Sequence, residues 1–137
     1  MNNREGSYGT ADMAGLLRNA NRDRWIALQI ETLSALKEVE AIAALDGVDH
    51  LFVGPADLST ALGVPGEFLH PKVIDGMQAV ADAAKSAGKT WGILCRGAQH
   101  AEKAREMGCT LFALATEFGV VHAGFKAVKE AYKGFFE

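Results

Sequence analysis

Four times in succession the sequence sets a short apolar run, of strand length, before a longer segment whose apolar residues recur at helical spacing. The runs are residues 25–30, 49–53, 89–95 and 109–115. The first helical segment, 33–45, carries Leu36, Val39, Ile42 and Ala43 at the right intervals, with Thr32 or Ser34 placed to cap it. Pro71 suits the first position of the second helix, where its missing N–H is harmless, and Gly88 ends that helix after a stripe of Val73, Ile74, Met77, Val80, Ala81 and Ala84. A third helix, 98–107, closes at Gly108, and a fourth, 119–136, carries Val121, Phe125, Val128 and Tyr132 as its apolar face. A loop rich in Gly and Pro is expected over 54–70. Residues 1–24 are polar, with basic Arg18, Arg22 and Arg24, and hold at most one short helix over 10–20 capped by Thr10. The expected organisation is therefore an N-terminal polar segment, 1–24, followed by a (β/α)4 unit over 25–137.

Strand–helix alternation calls for a parallel sheet with right-handed crossovers and helices outside it. An open doubly wound sheet and a (β/α) barrel both satisfy that order. The first strand–helix turn reads Gln29-Ile30-Glu31-Thr32 rather than Gly-x-Gly-x-x-Gly, and no Walker sequence occurs. Nucleotide binding thereby loses its main support.

Composition narrows the classes further. A chain of 137 residues, 49% hydrophobic and 23% charged, is long enough to bury one core. Its net charge of −3 offers no basic field for nucleic acid or an anionic membrane surface, so neither is expected as a partner. The first seven residues contain no apolar stretch of the signal-peptide kind, and Cys95 and Cys109 lack CxxC spacing. A reducing cytoplasmic setting without disulfide or zinc is the expectation.

In either architecture functional groups gather at the carboxyl ends of strands. Gln29 and Glu31 are two apart and share one side of the first strand, whereas Ile26, Leu28 and Ile30 share the other. Just past the second strand comes Gly54-Pro55-Ala56-Asp57. Parallel neighbours lie about 4.8 Å apart, so carboxylates on adjacent strand ends can converge on one cation. Hard oxygens with open positions suit Mg²⁺ or Mn²⁺. Asp57 could equally cap a turn at Leu58-Ser59-Thr60, as carboxylates after strands often do.

Separated blocks carry a resemblance. Gln29-Ile30-Glu31-Thr32, Asp46-Gly47-Val48-Asp49, Phe52-Val53-Gly54-Pro55-Ala56-Asp57-Leu58-Ser59, Leu62-Gly63, Pro65-Gly66 and His70-Pro71 follow one another at characteristic intervals. In this the chain resembles the HpcH/HpaI family of class II, pyruvate-dependent aldolases, most densely over 29–71. The resemblance implies a TIM barrel of which this chain is the C-terminal half, a (β/α) half-barrel of four strand–helix units. It implies that Glu31 and Asp57 hold a divalent metal, that Gln29 lies near the substrate, and that the backbone amides of Ala56 and Asp57 receive a 2-oxo acid carboxylate. Turn N–H groups can bind an anion without a side chain. The implied reaction is cleavage of a 4-hydroxy-2-oxo acid to pyruvate and an aldehyde, with no lysine Schiff base.

A complete (β/α)8 barrel takes about 250 residues. The half that is absent here brings, in the family, an Arg that stabilises the enolate and a His–Asp pair for proton transfer, and no position in this chain matches them. No catalytic acid or base is therefore assigned. His70 is expected to cap a helix, and His100 and His122 to be surface residues. Where the family tends to place Gly-x-Asp after the last strand, this chain reads Ala115-Thr116-Glu117-Phe118-Gly119. Arg96 is a candidate for binding a distal substrate carboxylate. Four strands cannot close a barrel, so a homo-oligomer or a complementing barrel half is the expected partner. A half-barrel serving as an assembly or binding module, and a citrate-lyase-β-like CoA-ester lyase, remain alternatives, although the 54–59 block favours the aldolases.

Overall fold

The computed structural model describes residues 12–135, apart from the side chain of Asn21. The expected strand order is present as one parallel sheet, β1 (Ala27–Ile30), β2 (His50–Val53), β3 (Thr90–Leu94) and β4 (Leu111–Ala113), in the spatial order β1-β2-β3-β4. The helices are α1 (Met13–Asp23), α2 (Leu33–Lys37), α3 (Val39–Ala43), α4 (Pro55–Ala61), α5 (Pro71–Ser86), α6 (Ala98–Glu106) and α7 (Glu117–Ala131), with a final 3-10 turn at Lys133–Phe135. Consecutive parallel strands joined by helical connections form a (β/α) half-barrel.

Register assigns the two faces. Ile30 stands beside Val53, Val53 beside Ile93, and Ile93 beside Phe112, so one row of apolar side chains crosses the whole sheet. Ile30, Val53 and Ile93 are buried there against a layer that includes Val39 and Ala43 of α3 and Val73, Met77, Val80 and Ala84 of α5. The opposite face carries Gln29, Phe52, Gly92 and Leu111 in one row. Gly92 is required in that row: a Cβ there would lie 2.7 Å from the carbonyl oxygen of Leu111 and 2.8 Å from His50 Nε2. Among the described residues, β1 and β4 each pair on one side only.

Several local expectations need correction. Thr10 lies outside the described residues, and α1 is capped instead by Asp12, whose carboxylate accepts from the amides of Ala14 and Gly15. The continuous helix expected over 33–45 is broken at Glu38, which adopts φ −99° and ψ 15°. That pivot turns Val39 and Ala43 into the core, while α2 contributes only the partly buried Ala35 and Leu36. The loop expected over 54–70 contains α4, because Pro55 occupies N1, where no N–H is needed, and Leu58 and Ser59 anchor the helix in the interior. Ser59 also ties the following loop down, donating to Ala56 O at 2.8 Å and accepting from the Gly66 amide at 3.1 Å.

Strand β1 starts two residues later than expected. Trp25 and Ile26 are exposed, and the Ile26 amide donates to the Asp49 carboxylate at 2.7 Å. Ile26 therefore does not join Leu28 and Ile30 beneath the helices. His100 is no surface residue, being 1% exposed. It sits in the first turn of α6, and its Nδ1 accepts the Arg96 amide at 3.2 Å, which holds the ring inward. His122 is exposed and His70 caps α5 by accepting from the Lys72 amide, both as expected. The stripe Val121, Phe125, Val128 and Tyr132 of α7 is exposed, since no described residue of this chain covers it. Among the described residues no helix is long and apolar enough to cross a membrane.

Candidate active site at the strand tips

The carboxyl ends of β1 and β2 meet at Gly54. Its amide donates to Ile30 O at 3.2 Å, extending the ladder one step beyond the strands and setting the start of α4 against the end of β1. Gln29 projects from β1 and donates through Nε2 to Glu31 Oε2 at 2.5 Å. This pair lies directly on the Gly54 backbone. A Cβ at position 54 would sit 2.6 Å from Gln29 Nε2 and 2.6 Å from Glu31 Oε2, closer than real Cβ atoms approach anything. The glycine keeps open the space beside the carboxylate. This role escaped the sequence reading, which singled out Ala56 and Asp57 of the 54–57 block and gave the glycine no task.

Asp57 occupies the first turn of α4 and is exposed. The first amide of α4 to take an intrahelical acceptor is that of Leu58, bonded to Gly54 O at 2.9 Å. The amides of Ala56 and Asp57 precede it, among those that a helix start leaves without an intrahelical partner. A cleft of about 250 Å³ opens at this end of the sheet. Gln29, Gly54, Ala56 and Asp57 line one side, Phe52, Leu94 and Ala113 the floor, and Thr116 and Glu117 the side beyond β4. Of the residues singled out in the sequence, Gln29, Ala56 and Asp57 thus share one cleft. Glu31 is half-buried and does not reach the lining; it stands behind Gln29, against Gly54.

Two side chains fall outside this grouping or join it unannounced. Arg96 lies over the ring of Phe68, 4.9 Å from its centroid, and does not line the cleft. Glu117 does line it, although the sequence marked residues 115–119 only as a departure at the mouth. Its placement follows from Thr116, whose Oγ1 accepts the Gly119 amide at 3.1 Å and starts α7 at the tip of β4.

Glu31 and Asp57 fit a divalent cation by chemistry. Both are hard oxygen donors beyond adjacent strand ends, with Glu31 Oε2 held in place by Gln29 Nε2 at 2.5 Å. They make a pair rather than a cage, since among the described residues no three His, Cys, Asp or Glu side chains gather to hold an ion. A pair leaves coordination positions for water and a chelating substrate.

His50 and His100 are the buried histidines, and desolvation lowers both pKa values; the Arg96 charge adds to the effect at His100. His50 Nδ1 lies 2.7 Å from Thr90 Oγ1, at the opposite end of the sheet from the cleft.

Comparison with known proteins agrees with the architecture. The profile of the HpcH/HpaI aldolase/citrate lyase family matches residues 5–123. A protein named 5-keto-4-deoxy-D-glucarate aldolase from Klebsiella pneumoniae subsp. pneumoniae is 39% identical over 114 residues, covering 83% of this chain and 44% of that protein. Its namesake from Salmonella arizonae is 35% identical over 133 residues, covering 97% of this chain and 51% of that protein. The crystal structure of an HpcH/HpaI aldolase/citrate lyase family protein from Burkholderia cenocepacia J2315 superposes with a TM-score of 0.78 at 36% identity, over 93% of this chain and 49% of that one. The chain spans about half the length of the curated relatives it matches.

Proposed function

Because the chain belongs to the HpcH/HpaI aldolase/citrate lyase family, we propose that it forms the C-terminal half of a divalent-metal-dependent aldolase that cleaves a 4-hydroxy-2-oxo acid to pyruvate and an aldehyde. The observation that carries this reading is the seating of Gln29 and Glu31 on Gly54 at the cleft that Asp57 lines.

Each residue then has a task. Glu31 and Asp57 hold Mg²⁺ or Mn²⁺. Gln29 fixes the Glu31 carboxylate by donating to it, and its place on the lining brings it to the substrate as well. The amides of Ala56 and Asp57 receive the substrate carboxylate at the start of α4. When bound, the cation supplies Lewis-acid stabilisation of negative charge on the 2-oxo oxygen. Cleavage breaks the C3–C4 bond, its electron pair passing into the 2-oxo acid fragment as an enolate while the C4 hydroxyl loses its proton and becomes the aldehyde, and a proton returned to C3 converts the enolate to pyruvate. Phe52, Leu94 and Ala113 give the cleft an apolar floor, which strengthens the electrostatic contacts above it. The group that takes the hydroxyl proton belongs, on this reading, to a complementing barrel half.

Pyruvate release from a 4-hydroxy-2-oxo acid, measured with Mg²⁺ or Mn²⁺, tests the reading. Release that stops on chelation and falls by a factor on the order of 100 in Glu31→Ala is expected. Release indifferent to both treatments would sink it. Metal binding without release, also when a complementing half is present, would turn the reading to a half-barrel that acts as a binding module.

A further inference from the structure

Resting on that aldolase reading, we propose that Ser59 and Thr60 are positioning residues for the substrate carboxylate: their hydroxyls fix the peptide that carries the Asp57 amide. Ala56 O accepts from Ser59 Oγ at 2.8 Å and from Thr60 Oγ1 at 3.0 Å. That carbonyl and the Asp57 N–H belong to one planar, trans peptide unit, in which they point in opposite directions. Whatever holds the oxygen therefore aims the N–H, and Ala56 and Asp57 both line the cleft.

Hydroxyls on helices often bond back to a carbonyl one turn earlier. Two features set this pair apart. Both hydroxyls converge on the same oxygen, and Ser59 is fully buried, its own oxygen accepting the Gly66 amide at 3.1 Å. The Gly66 N–H can only donate and the Ala56 oxygen can only accept, so the Ser59 hydroxyl has a single orientation. The Ser59 carbonyl also accepts the Val64 amide at 2.9 Å, and Gly66 turns with φ +75° to +80°, at +79°. Residues 64–66 thereby fold back onto Ser59, and the peptide is braced both from the interior and from the loop after α4.

Such a brace matters because α4 has only seven residues. So few aligned peptide dipoles sum to little, and holding an anion falls to individual N–H groups that are correctly aimed. Hydrogen bonds to a carbonyl also polarise the N–H of the same peptide unit, which strengthens it as a donor. A donor preset in this way needs no reorganisation when the anion arrives. The ligand group it serves is the carboxylate of a 2-oxo acid, and every residue of the brace belongs to this chain.

The test is pyruvate binding at saturating Mg²⁺, read by calorimetry, alongside Mn²⁺ binding, read by electron paramagnetic resonance, for wild type, Ser59→Ala and Thr60→Val. Glu31 is held by Gln29, outside the brace, so the two affinities should part. Ser59→Ala should weaken pyruvate binding about tenfold and Thr60→Val about threefold, with Mn²⁺ affinity within about twofold of wild type. The amide nitrogen resonance of Asp57 should move in both variants before pyruvate is added. Thr60 is exposed, so Thr60→Val tests the carbonyl without opening the interior. Pyruvate affinity unchanged in both variants, or Mn²⁺ affinity that falls as far as pyruvate affinity, overturns the positioning role and leaves the aldolase reading standing. A wild type that binds neither Mn²⁺ nor pyruvate, also with a complementing half present, overturns the aldolase reading, and this proposal with it.

Discussion

Gly54 shows how little room the candidate site has. Its backbone is the surface on which Gln29 and Glu31 rest, with 2.6 Å to either polar atom from the place a Cβ would take. Gly54→Ala must therefore push the pair aside, even though φ at this residue, −93°, suits any amino acid. The damage falls on the carboxylate and not on the backbone. We expect Mn²⁺ affinity, read by electron paramagnetic resonance or calorimetry, to drop by roughly 10- to 100-fold, as for other substitutions that misorient a metal ligand. The circular dichroism spectrum should be unchanged, and undiminished Mn²⁺ binding would show that Glu31 is not a ligand. A different kind of residue, His100, links burial to pH. Its folded pKa lies below the ordinary value of 6.5, so the unfolded chain binds the proton more readily. The stability it contributes is complete above pH 6.5 and is lost progressively as pH falls from there through the depressed folded value. His50 acts in the same direction. The thermal midpoint should therefore fall between pH 7 and pH 5, and His100→Asn, which cannot take up a proton, should flatten that fall. An equal slope in the variant would place the acid sensitivity elsewhere.

At the scale of elements, α4 converts a strand end into a site. It holds Asp57 outward only because Leu58 and Ser59 hold the opposite face in the interior. Leu58→Ala should cost about 2–5 kcal/mol in urea unfolding, the usual range for truncating a fully buried leucine. A loss below about 1 kcal/mol would mean that α4 is not anchored by this contact. The order of strands and helices could be read from the sequence because periodicity reports which face of each element is apolar. Gln29 and Asp57 could be placed at neighbouring strand ends for a related reason, since those ends are fixed once the strands are, whereas Ala56 entered only through the family resemblance. The remainder depends on tertiary contacts. The break at Glu38 falls within an unbroken helical pattern, and only the need to bring Val39 and Ala43 onto the core selects it. Gly54-Pro55 reads as a stop and functions as the cap and first residue of a helix. The inward turn of His100 rests on one backbone bond to Arg96, which no spacing announces. The contact between Gly54 and Glu31 needs the β1–β2 register, which places Ile30 opposite Val53 and so the two following residues side by side.

The whole molecule leaves surfaces that a self-sufficient fold would cover. Among the described residues, strands β1 and β4 each end the sheet with one unpaired side, and open parallel edges invite pairing by another chain. The row Gln29, Phe52, Gly92 and Leu111 faces what would be the interior of a closed barrel. Beyond β4, α7 buries none of its residues, with Phe118 82% and Phe125 72% exposed and Val121, Val128 and Tyr132 alongside them. These are large side chains in one continuous stretch of chain, not scattered apolar residues of the kind every surface carries. Periodicity recorded the apolar stripe of α7 correctly, but the surface it packs on is not among the described residues. We propose that a second copy of this chain or a complementing (β/α)4 half covers it, and of the two only the complementing half could also bring the proton acceptor that no residue of this chain matches. The protein alone should therefore sediment with a mass above 14.6 kDa. Phe125→Asp combined with Val121→Asp should move that mass toward the single-chain value if α7 carries the association, because two charges at such an interface would lose their water without gaining partners. A wild-type protein that sediments as a folded single chain with sharp thermal unfolding would show that the open edges and α7 are tolerated in water, and self-association would be ruled out.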